Sequence, residues 1–404
     1  MTSVADPTAR TASETFARDG TATSRRTSGP LTAMLRWASI VVVGALVLEM
    51  TCRVEDWVMY RMPLLSRFES LDDLLIRDAD GKHGRANAQF QKWHMNSLGT
   101  RGPETTLIPA QGTTRVITIG ASETFGLRES ADHEYPRQLE DSLRAKVQRG
   151  ECGADAGKFE VLNAAIFGMT IPTTDLDLQT RLRRMQPKIV FAYPPPVQYL
   201  EDELAVPVAP DSTIHVSTPP FRAALRPRVV NRAREQLKLL LPDRIKTLLR
   251  GSETQRAVKE HGPGWRFTSV PQDRVAALDS GLRQLVGTIR SIGAEPVLAT
   301  HANIFDGRAK RDKDNLVAWE KFIPRATGET IIAFDSISRA VTARVAADSN
   351  VVLVDAAKRL ASAPTSAFAD MVHFTDLGAA HMADVASEGV LAAARAKNLC
   401  RGGQ

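Results

Sequence analysis

Three residue types that can cooperate in nucleophilic catalysis lie far apart along the chain. Ser122 follows an apolar run in ITIGASETFG, while Asp370 and His373 stand three residues apart in DMVHFTDLG, just before the last predicted helix. This spacing lets the carboxylate accept a hydrogen bond from one imidazole nitrogen and leaves the other nitrogen free to face a hydroxyl. Each stretch alone also fits an ordinary turn or helix cap. Together they predict a Ser–His–Asp triad for acyl transfer.

Two further loops carry candidate site residues. In VLNAAIFGMT, a predicted strand runs into a loop that contains Gly168, whose amide can face an oxyanion because no side chain intervenes. In THANIFDG, His301 and Asn303 follow another predicted strand. We expect these two residues either to line the pocket or to have a structural role.

The elements that must position these residues alternate between strand and helix from residue 115 onward. Short apolar strands between amphipathic helices are typical of a parallel sheet with helices on both faces. We therefore predict an α/β fold, a three-layer α/β/α sandwich with a mostly parallel five-stranded sheet. The carboxyl edge of such a sheet is where open α/β folds bind ligands. The predicted strands are 115–120, 159–165, 188–193, 295–302 and 350–356, and the predicted helices are 134–147, 173–185, 275–293, 330–348 and 377–396.

These stretches together resemble the SGNH (GDSL-like) hydrolase superfamily. The family's first block is a G-D-S-like turn after a strand, and here it reads GAS with Ser122. Gly168 matches the glycine of the second block. Asp370 and His373 match the D-x-x-H of the last block in type, spacing and position. The stretch MNSLGTRGPE (95–104) is similar to an N-S-x-G-x-R-G element of membrane-anchored bacterial members, so the resemblance covers about residues 95–396.

The sequence departs from the family pattern in two places. Ala121 replaces the aspartate that usually precedes the nucleophile. The third block, G-x-N-D in the family, falls on PPPVQYLED, with Pro195 and Val197 near the expected glycine and asparagine. The oxyanion asparagine is therefore missing, and loss of one such donor typically costs about 10²–10³ in rate. Gln198 or Asn303 could replace it.

The resemblance implies an esterase without a cofactor. Ser122 would attack the ester, His373 would act as base, Asp370 would orient it, and the amides of Ser122 and Gly168 would bind the oxyanion. The implied substrate is an O-acyl group of an envelope or exported polysaccharide, and polysaccharide-assembly proteins are possible partners. Two alternatives are a polysaccharide O-acetyltransferase and a non-catalytic carbohydrate-binding or envelope protein that retains the fold.

The N-terminal part predicts a membrane anchor. Residues 1–30 are rich in Thr, Ser, Ala and Arg, which indicates a disordered tail. Residues 31–52 form an apolar segment with arginines on its N-terminal side, and we interpret it as a transmembrane signal anchor rather than a cleaved signal peptide or a core helix. The positive-inside rule then places the domain in the periplasm. Residues 53–114 are predicted as a linker and N-terminal extension, 115–396 as the hydrolase-like domain, and 397–404 as a tail.

Composition excludes some classes of function. The net charge of +6 and the 6% of aromatic residues do not amount to a nucleic-acid-binding surface. The three cysteines form no CxxC pair, which argues against a metal site, although Cys152 and Cys400 could form a disulfide in an exported domain. The insertion 201–270 is rich in proline, with a basic section between interleaved leucines. It either packs an apolar face on the core or forms a basic lid that contacts anionic lipid or an acidic polymer.

Overall fold

The N-terminal segment of the described chain is a long apolar helix. The computed structural model describes residues 30–153, 157–201, 227–262, 264–306 and 312–400, so the predicted disordered tail lies almost wholly outside the described residues. Helix α1 (Pro30–Tyr60) has 31 residues and is long and apolar enough to cross a membrane. At about 1.5 Å per residue it measures about 46 Å, more than a hydrocarbon core of about 30 Å. It contains the predicted span 31–52 and continues beyond it.

The chain divides into two compact units, residues 1–51 and residues 52–404. In the second unit, the region predicted as a linker and N-terminal extension contains two small antiparallel hairpins. Leu74 and Met95 from this region bury themselves with Phe125 and Ile166 in a separate apolar cluster. The extension therefore covers the loops that follow the first two strands of the main sheet. The hairpin strands are β1 (Leu75–Asp78), β2 (Gly81–Gly84), β3 (Gln89–Phe90) and β4 (Trp93–His94).

The main sheet has five strands, all parallel, in the order β6-β5-β7-β8-β9. Strands β5 and β7 are almost wholly buried, as expected for strands covered on both faces, and β7 is a continuous apolar run. The predicted three-layer α/β/α architecture is confirmed. The strands are β5 (Thr113–Gly120), β6 (Lys158–Asn163), β7 (Ile189–Tyr193), β8 (Glu295–Ala299) and β9 (Val352–Val354).

Helices cover both faces of the sheet. Successive residues of β5 point to opposite faces, so Val116 joins the cluster with Leu139 and Met382, and Ile117 joins the cluster with Leu282. The helices after α1 are α2 (Ser122–Phe125), α3 (Tyr135–Gln148), α4 (Ile171–Thr180), α5 (Arg228–Leu240), α6 (Asp243–His261), α7 (Gln272–Ser291), α8 (Lys313–Phe322), α9 (Gly328–Asp348), α10 (Ala356–Ala361) and α11 (Asp376–Ala396). Short 3₁₀ helices lie at Leu71–Leu74, Leu182–Met185, Pro196–Leu200 and Thr365–Ala367.

The described part of the insertion forms α5 and α6, and residues 202–226 lie outside the described residues. Helix α6 docks on α8 through polar contacts, including Lys321 Nζ to Glu253 Oε2 at 2.7 Å. Leu237, Leu240 and Leu248 are exposed. The insertion thus contacts the domain while several of its leucines face solvent.

A disulfide joins Cys152 and Cys400, whose Cα atoms are 4.8 Å apart. Cys152 precedes β6 and is buried, whereas Cys400 follows α11 near the end of the described chain. The sequence left this pairing open. The bond ties the last helix to the turn before the edge strand of the sheet.

Candidate active site

The candidate nucleophile lies where β5 ends. Gly120 ends the strand, and Ser122 is the first residue of the short helix α2. A Cβ atom at Gly120 would lie 2.2 Å from Thr124 Oγ1 and 2.6 Å from the carbonyl oxygen of Tyr193, so only glycine fits there. The tight turn that follows directs the partly exposed Ser122 to the carboxyl edge of the sheet.

The structure brings the three residues of the predicted triad into one hydrogen-bonded row. His373 Nε2 lies 2.8 Å from Ser122 Oγ, and His373 Nδ1 lies 2.8 Å from Asp370 Oδ1 and 2.9 Å from Oδ2. The amides of Val372 and His373 donate to Asp370 Oδ1, which fixes the carboxylate on its turn. The turn itself is set by α11, whose N-cap residue Thr375 accepts a bond from the amide of Gly378.

The electrostatics favour a charged carboxylate and a basic imidazole. Burial raises the pKa of Asp370, but hydrogen bonds from His373, its charge and two backbone amides outweigh this and hold the pKa at about 2. Burial lowers the pKa of His373, whereas the hydrogen bond and charge of Asp370 and the charge of Glu123 raise it to a value above its ordinary one. Arg128, whose Nε lies 3.4 Å from Asp370 Oδ2, opposes this rise. An imidazole of raised basicity is suited to accept a proton from a hydroxyl.

The upstream N-S-x-G-x-R-G element (95–104) supports the turn that carries the nucleophile. Arg101 donates to the carbonyl oxygens of Phe125 and Gly126 and pairs with the buried Glu134, with Nη2 to Oε2 at 3.0 Å. Asn96 shapes the preceding turn, since its Oδ1 accepts from the amides of Leu98 and Thr100. The element therefore holds the carbonyl oxygens of Phe125 and Gly126, where α2 ends.

A second strand end supports the same turn. The side chain of Asn163, the last residue of β6, donates to the carbonyl oxygen of Thr124 at 2.9 Å. Further along this loop, Gly168 has a φ of +67°, which favours glycine. Its carbonyl accepts from Lys82 Nζ at 2.8 Å. Burial, together with the charge of Arg77, lowers the pKa of Lys82 to about 8.

The third-block position contains no asparagine, as the sequence indicated. Strand β7 ends at Tyr193 and is followed by Pro194, Pro195 and Pro196, residues that carry no amide hydrogen. Asn303 donates its side-chain amide to Asp335 at 2.7 Å. The Asn303 amide is thus engaged in a buried network, and Gln198 sits in the 3₁₀ turn after the prolines.

His301 belongs to a buried charged chain that reaches the nucleophile. Its Nδ1 lies 2.5 Å from Asp335 Oδ1, and its Nε2 lies 3.6 Å from Glu123 Oε1. Ser122 Oγ lies 3.3 Å from the other carboxylate oxygen, Glu123 Oε2. The side chains of Glu123, His301 and Asp335 are 6%, 2% and 0% exposed. We call Glu123, His301 and Asp335 the buried relay.

Sequence reasoning missed Glu123, Asp335 and the supporting role of Arg101. The signal for Glu123 was an acidic residue directly after the nucleophile, at the end of a strand predicted to be buried. Asp335 lies inside the predicted helix 330–348, where nothing in the local pattern separates it from a solvent-exposed acid.

Comparison with known proteins gives likenesses of structure alone. Neither a family model nor a curated protein sequence matches the chain. One similar solved structure is the lipase/acylhydrolase from Enterococcus faecalis, with 14% identity, a TM-score of 0.39, and coverage of 69% of this chain and 96% of that one. Another is a variant of an acetyl-xylooligosaccharide esterase from Geobacillus stearothermophilus, with 16% identity, a TM-score of 0.38, and coverage of 70% and 95%. An acetyl xylan esterase has 14% identity, a TM-score of 0.37, and coverage of 68% and 99%.

Proposed function

We propose that the chain is a serine esterase that cleaves acyl esters through Ser122, His373 and Asp370. One observation carries this proposal: the continuous row of hydrogen bonds from Ser122 Oγ through both imidazole nitrogens to Asp370, each 2.8–2.9 Å long. This is the geometry that activates a hydroxyl by an oriented general base.

In the proposed mechanism, Ser122 Oγ attacks the ester carbonyl carbon while its proton moves to His373 Nε2. The resulting imidazolium is stabilised by Asp370 and gives the proton to the leaving alcohol oxygen, which breaks the ester bond and leaves an acyl-enzyme. Water then attacks the acyl carbon and gives its proton to His373. The acid departs, and the proton returns to Ser122 Oγ.

The amides of Ser122 and Gly168 are the proposed donors to the oxyanion. Ser122 begins α2, so its amide is not needed within that helix, and Gly168 has no side chain to block its amide. Lys82 donates to the carbonyl oxygen of Gly168, which lies on the following peptide, and so holds the loop at this residue. Without the third-block asparagine, we expect turnover to be about 10²–10³ below that of a site with the full set of donors.

The proposed substrate is an O-acyl group, such as acetyl, on an envelope or exported polysaccharide. The family resemblance supports this choice, and two of the structural neighbours are described as esterases of acetylated xylan or its oligosaccharides. Acetylated xylan and acetylated alginate-type polymers are therefore suitable first substrates. Release of free acetate supports hydrolysis, whereas transfer of acetyl to an added sugar acceptor would indicate an O-acetyltransferase.

We also propose that α1 anchors the protein in the cytoplasmic membrane with the domain outside. The length and apolarity of α1 support the anchor, and Arg25, Arg26 and Arg36 on its N-terminal side support a cytoplasmic N-terminus. The Cys152–Cys400 disulfide supports an oxidising, extracytoplasmic location. Protease accessibility of the domain in spheroplasts tests this orientation. A domain that resists digestion until the membrane is permeabilised would contradict it.

The experiment that tests the esterase proposal is turnover of p-nitrophenyl acetate by the full-length protein and by Ser122→Ala and His373→Ala. Both variants should lose at least about 10³-fold in kcat/KM. Ser362→Ala and His381→Ala are matched controls, since both residues are exposed and lie outside the row. Unchanged rates in Ser122→Ala and His373→Ala would remove the triad.

A further inference from the structure

The hydroxyl of Ser122 faces two acceptors rather than one. Its Oγ lies 2.8 Å from His373 Nε2 and 3.3 Å from Glu123 Oε2. A hydroxyl has one proton, so it donates to only one of these acceptors at a time. With His373 neutral the proton lies toward Nε2, and with His373 protonated Nε2 donates to Oγ while the hydroxyl donates to Glu123. The proposed esterase mechanism has no use for Glu123.

A carboxylate as buried as Glu123 is costly unless it is paired. The pairing partner is His301, whose Nε2 lies 3.6 Å from Glu123 Oε1, while its Nδ1 contacts Asp335 at 2.5 Å. An imidazole flanked by two carboxylates is stabilised as the cation. Although burial lowers the pKa of His301, the charge and hydrogen bond of Asp335 and the contact with Glu123 raise it to about 9.

Asp335, the relay residue most distant from Ser122, has further charged and polar partners. Asp335 Oδ2 accepts from Arg339 Nη2 at 2.6 Å and from Asn303 at 2.7 Å, and Arg339 also pairs with Asp306 at 2.8 Å. Charges therefore alternate in sign from Asp306 to Glu123. This alternation accounts for a pKa of Glu123 below its ordinary value, because the effect of burial is outweighed by the contact with His301 and the positive charge of His373.

The buried relay lies beside the end of β7, where the sequence lacks the third-block asparagine of the family pattern. His301 follows β8 and stacks on Tyr193, the last residue of β7, with ring centroids 5.4 Å apart. The family places its oxyanion asparagine directly after this strand. Here the side chains of His301 and Glu123 approach each other beside the strand end that the prolines follow.

We propose that the buried relay is a second positioning device for the nucleophile. In this proposal His301 and Asp335 keep Glu123 ionised. Glu123 accepts a hydrogen bond from the Ser122 hydroxyl while His373 is protonated, and its negative charge stabilises the imidazolium of His373. The inference rests on the proposed esterase function. It assigns roles to Glu123, His301 and Asp335 that the triad alone does not require.

The relay predicts a specific pH dependence. The charged groups that act on His373 are Asp370 and Glu123, which favour its cationic form, Arg128, which opposes it, and the buried Glu129 nearby. Removing the charge of Glu123 makes the cation less stable. His373 in Glu123→Gln should therefore lose its proton at a lower pH than in the native protein.

The test is the rate at which an alkyl fluorophosphonate labels Ser122 in the full-length protein in detergent, measured as a function of pH. The labelling rate should fall at low pH as His373 takes up a proton, and we call this fall the acidic limb of the profile. In Glu123→Gln the midpoint of the acidic limb should shift to a pH about one unit lower. His301→Gln should move it the same way, because an unpaired Glu123 takes up a proton. The double variant should move it no further than either single variant. Glu388→Gln, an exposed charge removal on α11, should leave it unchanged.

The outcomes separate the relay from the esterase proposal. A labelled native protein whose limb is unmoved in Glu123→Gln overturns the relay and leaves the triad. A native protein that is not labelled overturns both. If Glu123→Gln has the melting temperature of the native protein yet is not labelled, labelling of Glu123→Asp is the deciding measurement. Labelling restored by the shorter carboxylate supports the relay, and labelling still absent overturns it.

Discussion

Arg101 Nη1 donates to the carbonyl oxygen of Gly126 at 2.7 Å, so a residue from the N-terminal extension holds the end of the turn that carries the nucleophile. The same guanidinium bonds the carbonyl of Phe125, lies over its ring, and pairs with Glu134. A planar fork can satisfy all of these partners at once, whereas an ammonium cannot. The extension is therefore part of the architecture of the site.

Arg101→Lys should keep the charge beside Glu134 and lose the fork. We expect kcat/KM for p-nitrophenyl acetate to fall by about 10- to 100-fold, because the Ser122 turn is no longer held in register with His373. The measurement is steady-state kinetics with a melting curve for each protein. Arg144→Lys, an exposed arginine on α3, is the matched control. Equal activity in Arg101→Lys and the native protein would contradict the supporting role.

Asp370→Asn should reduce kcat/KM by about 10⁴-fold. An asparagine cannot stabilise the imidazolium, and its amide favours the tautomer in which Nδ1 accepts, which places the proton on Nε2, the atom that must accept from Ser122. The backbone amides of Val372 and His373 would still hold the side chain in place. The same assay measures the effect, with Asp384→Asn on the exposed side of α11 as control. A loss below tenfold would mean that Asp370 does not orient the base.

Activity should fall as the pH drops through the pKa of His373, which lies above the ordinary value of a histidine side chain. His373 must be neutral to accept a proton, and its pKa lies above the ordinary value because Asp370 and Glu123 outweigh the effect of burial. Asp370 stays ionised down to about pH 2, so it adds no limb near neutrality. The measurement is kcat/KM from pH 5 to 9.

The buried acid Glu129 also has a raised pKa, and its titration must be separated from that of His373. Burial raises the pKa of Glu129 to about 7, against the opposing charges of Arg101 and His373. The profile is therefore repeated in Glu129→Gln. A limb that persists there belongs to His373, and a limb that disappears would assign the pH dependence to Glu129 instead.

The sheet and the row of Ser122, His373 and Asp370 could be predicted from the sequence because their signals are local. Strand β7, for example, is a continuous apolar run, and such a run indicates burial on both faces without knowledge of the partner strands. D-x-x-H before a helix places the acid and the base within one turn. The contact between that turn and Ser122 depends on the fold. It could still be expected, because parallel strands bring their carboxyl ends to one edge of the sheet.

The buried relay could not be predicted, because each of its contacts joins residues distant in sequence. Glu123, His301 and Asp335 come from the end of β5, the end of β8 and the middle of α9, so their contact depends on the strand order and on the rotation of α9. The hairpins of the extension were missed for a related reason. Strands as short as β3 and β4 carry almost no periodicity, and their cluster is completed by Phe125 from beyond β5.

The Cys152–Cys400 disulfide should stabilise the domain by linking positions 248 residues apart. Closing so long a loop restricts the unfolded chain strongly, and loss of a native disulfide typically costs about 2–5 kcal/mol. Cys152→Ser and Cys400→Ser should therefore each lower the melting temperature by several degrees, and the double variant by no more than either single one. Cys52→Ser is the control, since Cys52 is outside the disulfide. On non-reducing gels the native protein should migrate faster than after reduction, and equal migration would show that the bond does not form.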